Sequence, residues 1–206
     1  MFRTLKIIFN ATIIVLAFIG FNAIGGQKYI EAIKDGIGNI IAHYTQDSAS
    51  KIGDFSKINE EFVIDNTMNL MGYRAVIAEH KASGQRMIIL DSGKKPLLTQ
   101  EELKSSNIDT KLKEASEKIK YRGAKVQDIS VTSRGTMEVY GQNVPFVKFE
   151  ARITRAPISE IAGVVASVKT SDGSEKLALS ISEKKKYSQL ITNEFYKGVN
   201  ESIEKK

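Results

Sequence analysis

The stretch Phe146-Val147-Lys148-Phe149-Glu150-Ala151-Arg152-Ile153 puts Val147, Phe149, Ala151 and Ile153 at every second position, with three charged residues between them. Successive side chains of a strand point to opposite faces, so this reads as a strand with one buried face and one at least partly wet. Upstream, Tyr73, Ala75 and Ile77 alternate with Arg74, Val76 and Ala78. That pattern predicts a strand over 72–81, joined to another over 86–91 by the Gly-containing loop Ala82-Ser83-Gly84-Gln85.

Further strands are expected at 126–133, 136–140, 145–154, 163–170 and 177–182. Arg134-Gly135, Gly141-Gln142-Asn143 and Ser171-Asp172-Gly173-Ser174 supply residues that tolerate the positive φ of tight turns, so neighbouring strands are read as antiparallel hairpins. Three helices complete the pattern. Thr99-Gln100-Glu101-Glu102 is a capping box, in which a Thr hydroxyl and a Glu carboxylate satisfy each other's unpaired backbone donors. Ile108, Leu112, Ala115 and Ile119 mark a helix over 109–121, whose charged side is a solvated face. Tyr187, Leu190, Ile191, Phe195 and Val199 mark the apolar stripe of a last helix over 184–203, laid on the sheet. The expected fold is therefore α+β: an N-terminal hydrophobic helix, then a mostly antiparallel sheet of about six or seven strands covered by helices, α-β-α sandwich-like.

The stretch Tyr140 to Glu150, the hairpin through Asp172-Gly173, and Leu177-Ala178-Leu179-Ser180-Ile181-Ser182 leading to Phe195-Tyr196 resemble secreted PsbP-like domains in element order and hydrophobic spacing over about residues 120–199. The resemblance implies a sandwich whose members are mostly non-enzymatic extrinsic or accessory proteins. It carries no metal or binding residue onto this chain.

The N-terminus decides the compartment. Arg3 and Lys6 precede an apolar run to Gly26, and the first acid is Glu31. Ala11 to Phe21 has the length of a signal-peptide apolar region, and Ala23-Ile24-Gly25 places small residues where a signal peptidase cleaves. The competing reading is an uncleaved transmembrane anchor, because about 20 apolar residues span a bilayer. In both, the positive flank stays inside and the remainder faces out. Residues 27–44, with Tyr29, Ile30, Ile33, Ile37, Ile40, Ile41 and Tyr44 at helical steps, read as an amphipathic helix. The polar Asp47, Ser48, Ser50 and Gly53 read as a linker. The organisation is thus 1–26 signal peptide or membrane anchor, 27–54 amphipathic helix and linker, and 55–206 a single extracytoplasmic α+β domain.

With 42% hydrophobic and 26% charged residues the chain has the composition of a folded domain. It has no cysteine, which excludes disulfides, thiol nucleophiles and lipoprotein attachment, and fits a bacterial envelope. Removing Arg3 and Lys6 from the formal +6 leaves +4, with bases dispersed among acids, so nucleic acid is not the expected partner.

Catalytic chemistry is thin. The chain has two histidines, His43 on the amphipathic segment and His80 near a strand end; Glu79 and His80 point to opposite faces, and His80 alone is kept as a weak functional candidate. Glu60-Glu61 and Glu101-Glu102 read as helix-start acids. Gly36-Ile37-Gly38 lacks the third glycine of a dinucleotide loop, and the Asp172-Gly173 turn lacks the ligand spacing of a calcium loop. No catalytic, cofactor or metal residues are assigned. Lys184-Lys185-Lys186, at the start of the last helix, is the candidate contact for an anionic surface. The expected function is a non-enzymatic extracytoplasmic envelope protein acting as an accessory or binding domain, with an envelope component or membrane surface as partner. The alternative is a small-molecule or lipid-binding domain with a pocket between sheet and terminal helix. A hydrolase is third.

Overall fold

The computed structural model describes residues 49–70, 73–93, 96, 98–117, 120–121, 124–154 and 159–202. The leader, the amphipathic segment at 27–44 and His43 lie outside them. Among the described residues no helix is long and apolar enough to cross a membrane.

The fold is α+β, built on one antiparallel sheet. Strands β1 (Phe62–Leu70), β2 (Tyr73–His80) and β3 (Arg86–Asp91) form a meander. Helices α1 (Gln100–Lys104) and α2 (Ile108–Glu117) then carry the chain to the far edge. There β4 (Lys120–Tyr121), β5 (Ala124–Val139), β6 (Gln142–Thr154), β7 (Glu160–Lys169) and β8 (Glu175–Glu183) meander back until β8 pairs with β3. The order is β1-β2-β3-β8-β7-β6-β5-β4. A 3₁₀ turn (Lys184–Lys186) and helix α3 (Gln189–Lys197) follow.

Both faces of the sheet are buried, by different elements. Ala75, Ile77, Val147, Phe149, Ala151 and Ile153 pack with Leu103 of α1 and Ile108 of α2. Val76, Ala78, Val164, Ala166 and Ala178 pack with Phe195, Tyr196 and Val199, and with Ala49 and Ile52 before the sheet. The period-two parity of residues 75–78 and 146–153 is thus the parity of the structure. On β6 the second face stays partly wet over Lys148, Glu150 and Arg152.

The capping box is present: Thr99 Oγ1 accepts from the Glu102 amide at 3.2 Å and Glu102 Oε2 accepts from the Thr99 amide at 3.0 Å. The hairpin loop at 82–85 is also where the sequence puts it.

Several expectations are corrected. Arg134-Gly135 is no turn, because both residues lie inside the 16-residue β5. Gly135 pairs with Phe146, whose ring lies 2.9 Å from where a Cβ on Gly135 would stand, so the aromatic ring covers the glycine and the strand continues. Glu60-Glu61 start no helix; they sit in the turn entering β1, a strand whose alternation is broken by an irregularity between Ile64 and Asn66. The expected linker at 47–54 includes Ala49 and Ile52, both buried in the second core. The last helix is shorter than expected, and its stripe is rotated. Thr192, Phe195 and Tyr196 face the sheet, whereas Leu190 is 80% exposed.

Candidate functional site

Three polar clusters lie among the described residues, and the lysine triplet stands apart from them. The first surrounds His80, which is buried at the end of β2 against the ring of Phe62. The Ser83 amide donates to His80 Nδ1 at 3.2 Å, which marks that nitrogen as an acceptor and places the proton on Nε2, facing Glu61 Oε2 at 3.3 Å. Ser83 Oγ lies 2.9 Å from Nδ1. Serine, histidine and carboxylate thus follow one another as in a hydrolase relay. The amides that could hold an oxyanion are otherwise engaged: Ser83 on His80 Nδ1, Gly84 on the His80 carbonyl at 2.9 Å, and Gln85 on Ser83 Oγ at 3.2 Å. The cluster closes the β2–β3 loop. Glu79, on the other face, pairs with Arg86 at 2.7 Å.

The second cluster sits under α3. Gln85 is fully buried, and its Nε2 lies within 2.9 Å of Ser180 Oγ, Thr192 Oγ1 and the Ser188 carbonyl, while its Oε1 accepts from the Ser188 amide at 2.7 Å. Ser188 is the N-cap of α3, accepting from the Ile191 amide at 3.4 Å. This network fixes the rotation of the helix: drawing Thr192 inward turns Leu190 out. Tyr196 completes the seam, its hydroxyl reaching the carbonyls of Leu179 at 2.6 Å and Ile88 at 3.0 Å across the β3–β8 pairing. Thr192, Phe195 and Tyr196 of α3, with Val199 just beyond it, are buried against the sheet.

The third cluster holds the segment before the sheet. The Ile52 carbonyl accepts from Tyr140 Oη at 2.7 Å and from Lys176 Nζ at 2.8 Å. Lys176 also lies over the Tyr140 ring, 5.5 Å from its centre. Tyr140 and Gly141 form the two-residue β5–β6 loop with φ of 52° and 69°, a conformation that disfavours a bulky side chain by roughly 1–2 kcal/mol. The tyrosine is held there by its bond to Ile52. Beside it, Asp91 is buried and paired with Arg74 at 2.7 Å. Asp54 and Asn200 exchange two backbone hydrogen bonds of 2.9 Å, and Ser202 Oγ donates to the Ser50 carbonyl, so the two ends of the described chain are joined.

Burial pulls the Lys176 ammonium below its ordinary range; the carboxylates of Asp91, Glu201 and Asp172 oppose that fall, and Arg74 adds to it. Burial acts oppositely on the phenols. Tyr187 is pushed up to about 12, and Tyr140 and Tyr196 are raised as well. A phenol whose folded pKa exceeds its unfolded 10.0 adds stability that is complete below pH 10 and lost as pH rises above it. Lys176 works the other way, adding stability as pH rises toward 10.5. Three phenols against one amine give a net alkaline loss. Stability measured by urea unfolding is therefore expected to fall above about pH 10, with phenolate absorbance appearing together with unfolding.

Lys184, Lys185 and Lys186 form the 3₁₀ turn ahead of the Ser188 cap, outside the first turn of α3. Lys184 pairs with Glu150 at 2.6 Å and Lys186 with Glu183 at 3.1 Å. Lys185 is exposed, with no ion-pair partner among the described residues. Among the described residues no group of three or more metal-ligating side chains converges. Against known proteins, the chain matches no protein-family model and no curated protein.

Sequence reading singled out His80 and the three lysines but missed Gln85, Tyr140 and Lys176. Lys176 shares its parity along β8 with the buried Ala178 and Ser180, and that parity was the available signal.

Proposed function

We propose that this chain is a non-enzymatic extracytoplasmic accessory or binding domain of a bacterial envelope, delivered by residues 1–26 and working through its surface. The observation that carries this reading is the use made of its reactive-looking side chains. His80, Ser83, Gln85, Tyr140, Lys176 and Tyr196 each bond a neighbouring loop, helix cap or backbone carbonyl, and so act as latches of the fold. Their chemistry is directed inward. The packed interface beneath α3 favours surface recognition over an enclosed ligand site. The resemblance to PsbP-like secreted domains points to the same accessory role.

Crosslinking in intact cells tests the proposal. A discrete adduct with an envelope component is expected, and adducts confined to cytoplasmic proteins would overturn it.

A further inference from the structure

Strand β5 has a long outer edge that β4 barely covers. β4 pairs with it only at Ala124 and Lys125, and among the described residues no strand lies against the outer side of 126–139. Such an edge is a row of unpaired N–H and C=O groups, which folded proteins blunt with lysine, proline or irregular pairing. Residues 126–139 contain no lysine and no proline. The two irregularities of β5 fall at 127–130 and 131–133, which leaves 133–139 as a regular run, paired residue by residue with β6. The opposite edge of the sheet differs, because β1 is interrupted within its own length, between Ile64 and Asn66.

The hairpin sets the direction of the free groups. Its two-residue loop, Tyr140-Gly141, makes Val139 and Gln142 a hydrogen-bonded pair. Arg134, Thr136 and Glu138, at the alternate positions, therefore turn their backbone N–H and C=O away from β6. The side chains of these three residues share one face of the strand. Arg134 and Thr136 are exposed and Glu138 is half-buried. Arg134 donates to Asp109 at 2.7 Å and to the Ser105 carbonyl at 3.0 Å, and a guanidinium has more donors than those two bonds use. Glu138 has no ion pair or hydrogen bond through its side chain among the described residues.

An antiparallel neighbour must set outward-turned residues opposite its own outward-turned residues. If the neighbour is a second β5, a two-fold axis through Thr136 puts Arg134 of each copy opposite Glu138 of the other, and the unpartnered carboxylate gains a cation. Centring the pair on Arg134 or on Glu138 opposes like charges, and centring it on 135 or 137 pairs neither. The second copy's hairpin loop then reaches the level of Thr132, well short of Lys125 where β4 begins, so β4 does not obstruct it. A foreign strand would satisfy the backbone as well but has no use for the Arg134–Glu138 spacing, so the spacing selects a second copy.

We propose that residues 133–139 of β5 pair with the same residues of a second copy of this chain, antiparallel about Thr136, joining the two sheets edge to edge. The pairing goes beyond the accessory-domain reading and does not depend on the compartment.

The chain has no cysteine, so Thr136→Cys and Ser133→Cys each create a single thiol on the exposed edge. The full-length variants are expressed in cells and treated with a short, membrane-permeable bismaleimide, and the products are sized under denaturing conditions. About Thr136 the two copies of position 136 lie about 5.5 Å apart between Cα atoms, whereas those of position 133 are separated by six residues, about 20 Å. A crosslinked species of twice the chain mass is expected from Thr136→Cys and not from Ser133→Cys. Adding Glu138→Arg, which sets arginine against arginine at both pairs, is expected to lower its yield about tenfold at limiting expression. No dimer from Thr136→Cys, or equal dimer from both positions, overturns the proposal. So does a Thr136→Cys adduct of any other mass, which would assign the edge to a different protein. The contrast between positions 136 and 133 decides the matter alone if the Glu138→Arg variant fails to accumulate.

Discussion

Replacing Gly163 by alanine is expected to cost about 3 kcal/mol or more, seen as a large fall in the urea midpoint with an unchanged slope. Gly163 lies in the middle of β7, paired with Phe149 on one side and Ile181 on the other. A Cβ there would stand 2.4 Å from the Ser180 carbonyl oxygen and 2.7 Å from the Phe149 ring. The oxygen belongs to the backbone of an adjacent strand, so relief requires the sheet itself to shift. Gly135→Ala is the matched control. The nearest atoms to its Cβ would be those of the Phe146 ring, at 2.9 Å, and a half-buried side chain can swing away. That variant is expected to lose about 1 kcal/mol or less. Equal midpoints for the two variants would contradict the packing described for β7 and β8.

The second large effect concerns the Ile52 carbonyl. Tyr140→Phe and Lys176→Met each leave one donor in place, and each is expected to cost about 1 kcal/mol. The double variant leaves a buried carbonyl without either donor and is expected to cost about 3 kcal/mol, more than the sum of the singles. Urea unfolding of the four proteins in the cycle measures the difference. Strict additivity would mean that the two side chains do not share the carbonyl, and that residues 49–54 are less firmly part of the domain than the contacts indicate.

These two sites also mark the limit of what sequence could reveal. Alternation at residues 75–78 and 146–153, the 82–85 loop and the Thr99–Glu102 capping box depend on neighbours in the chain, and all are present in the fold. The continuity of β5 depends on Phe146 covering Gly135, and the rotation of α3 depends on Gln85 reaching Thr192, 107 residues away. Neither partner is visible from local pattern. Strand β1 was hidden for a related reason: its irregularity at Ile64–Asn66 breaks the period on which recognition of a strand relies. Of the candidate sites, the lysine triplet was legible as composition, whereas its partial neutralisation by Glu150 and Glu183 and the outward turn of Leu190 required the tertiary arrangement.

The central claim, that a latched domain is presented outside the cytoplasm and acts through its surface, is tested most directly by labelling intact cells. An amine-reactive reagent that does not cross the cytoplasmic membrane is applied before and after lysis, and modified lysines are located by mass spectrometry. Lys57, Lys104 and Lys197 are exposed, Lys104 on α1 and the other two close together at the end of α3, and they report wherever the surface is accessible. Modification of all three in intact cells is expected, at the level reached after lysis. Modification only after lysis would place the domain in the cytoplasm and contradict the account.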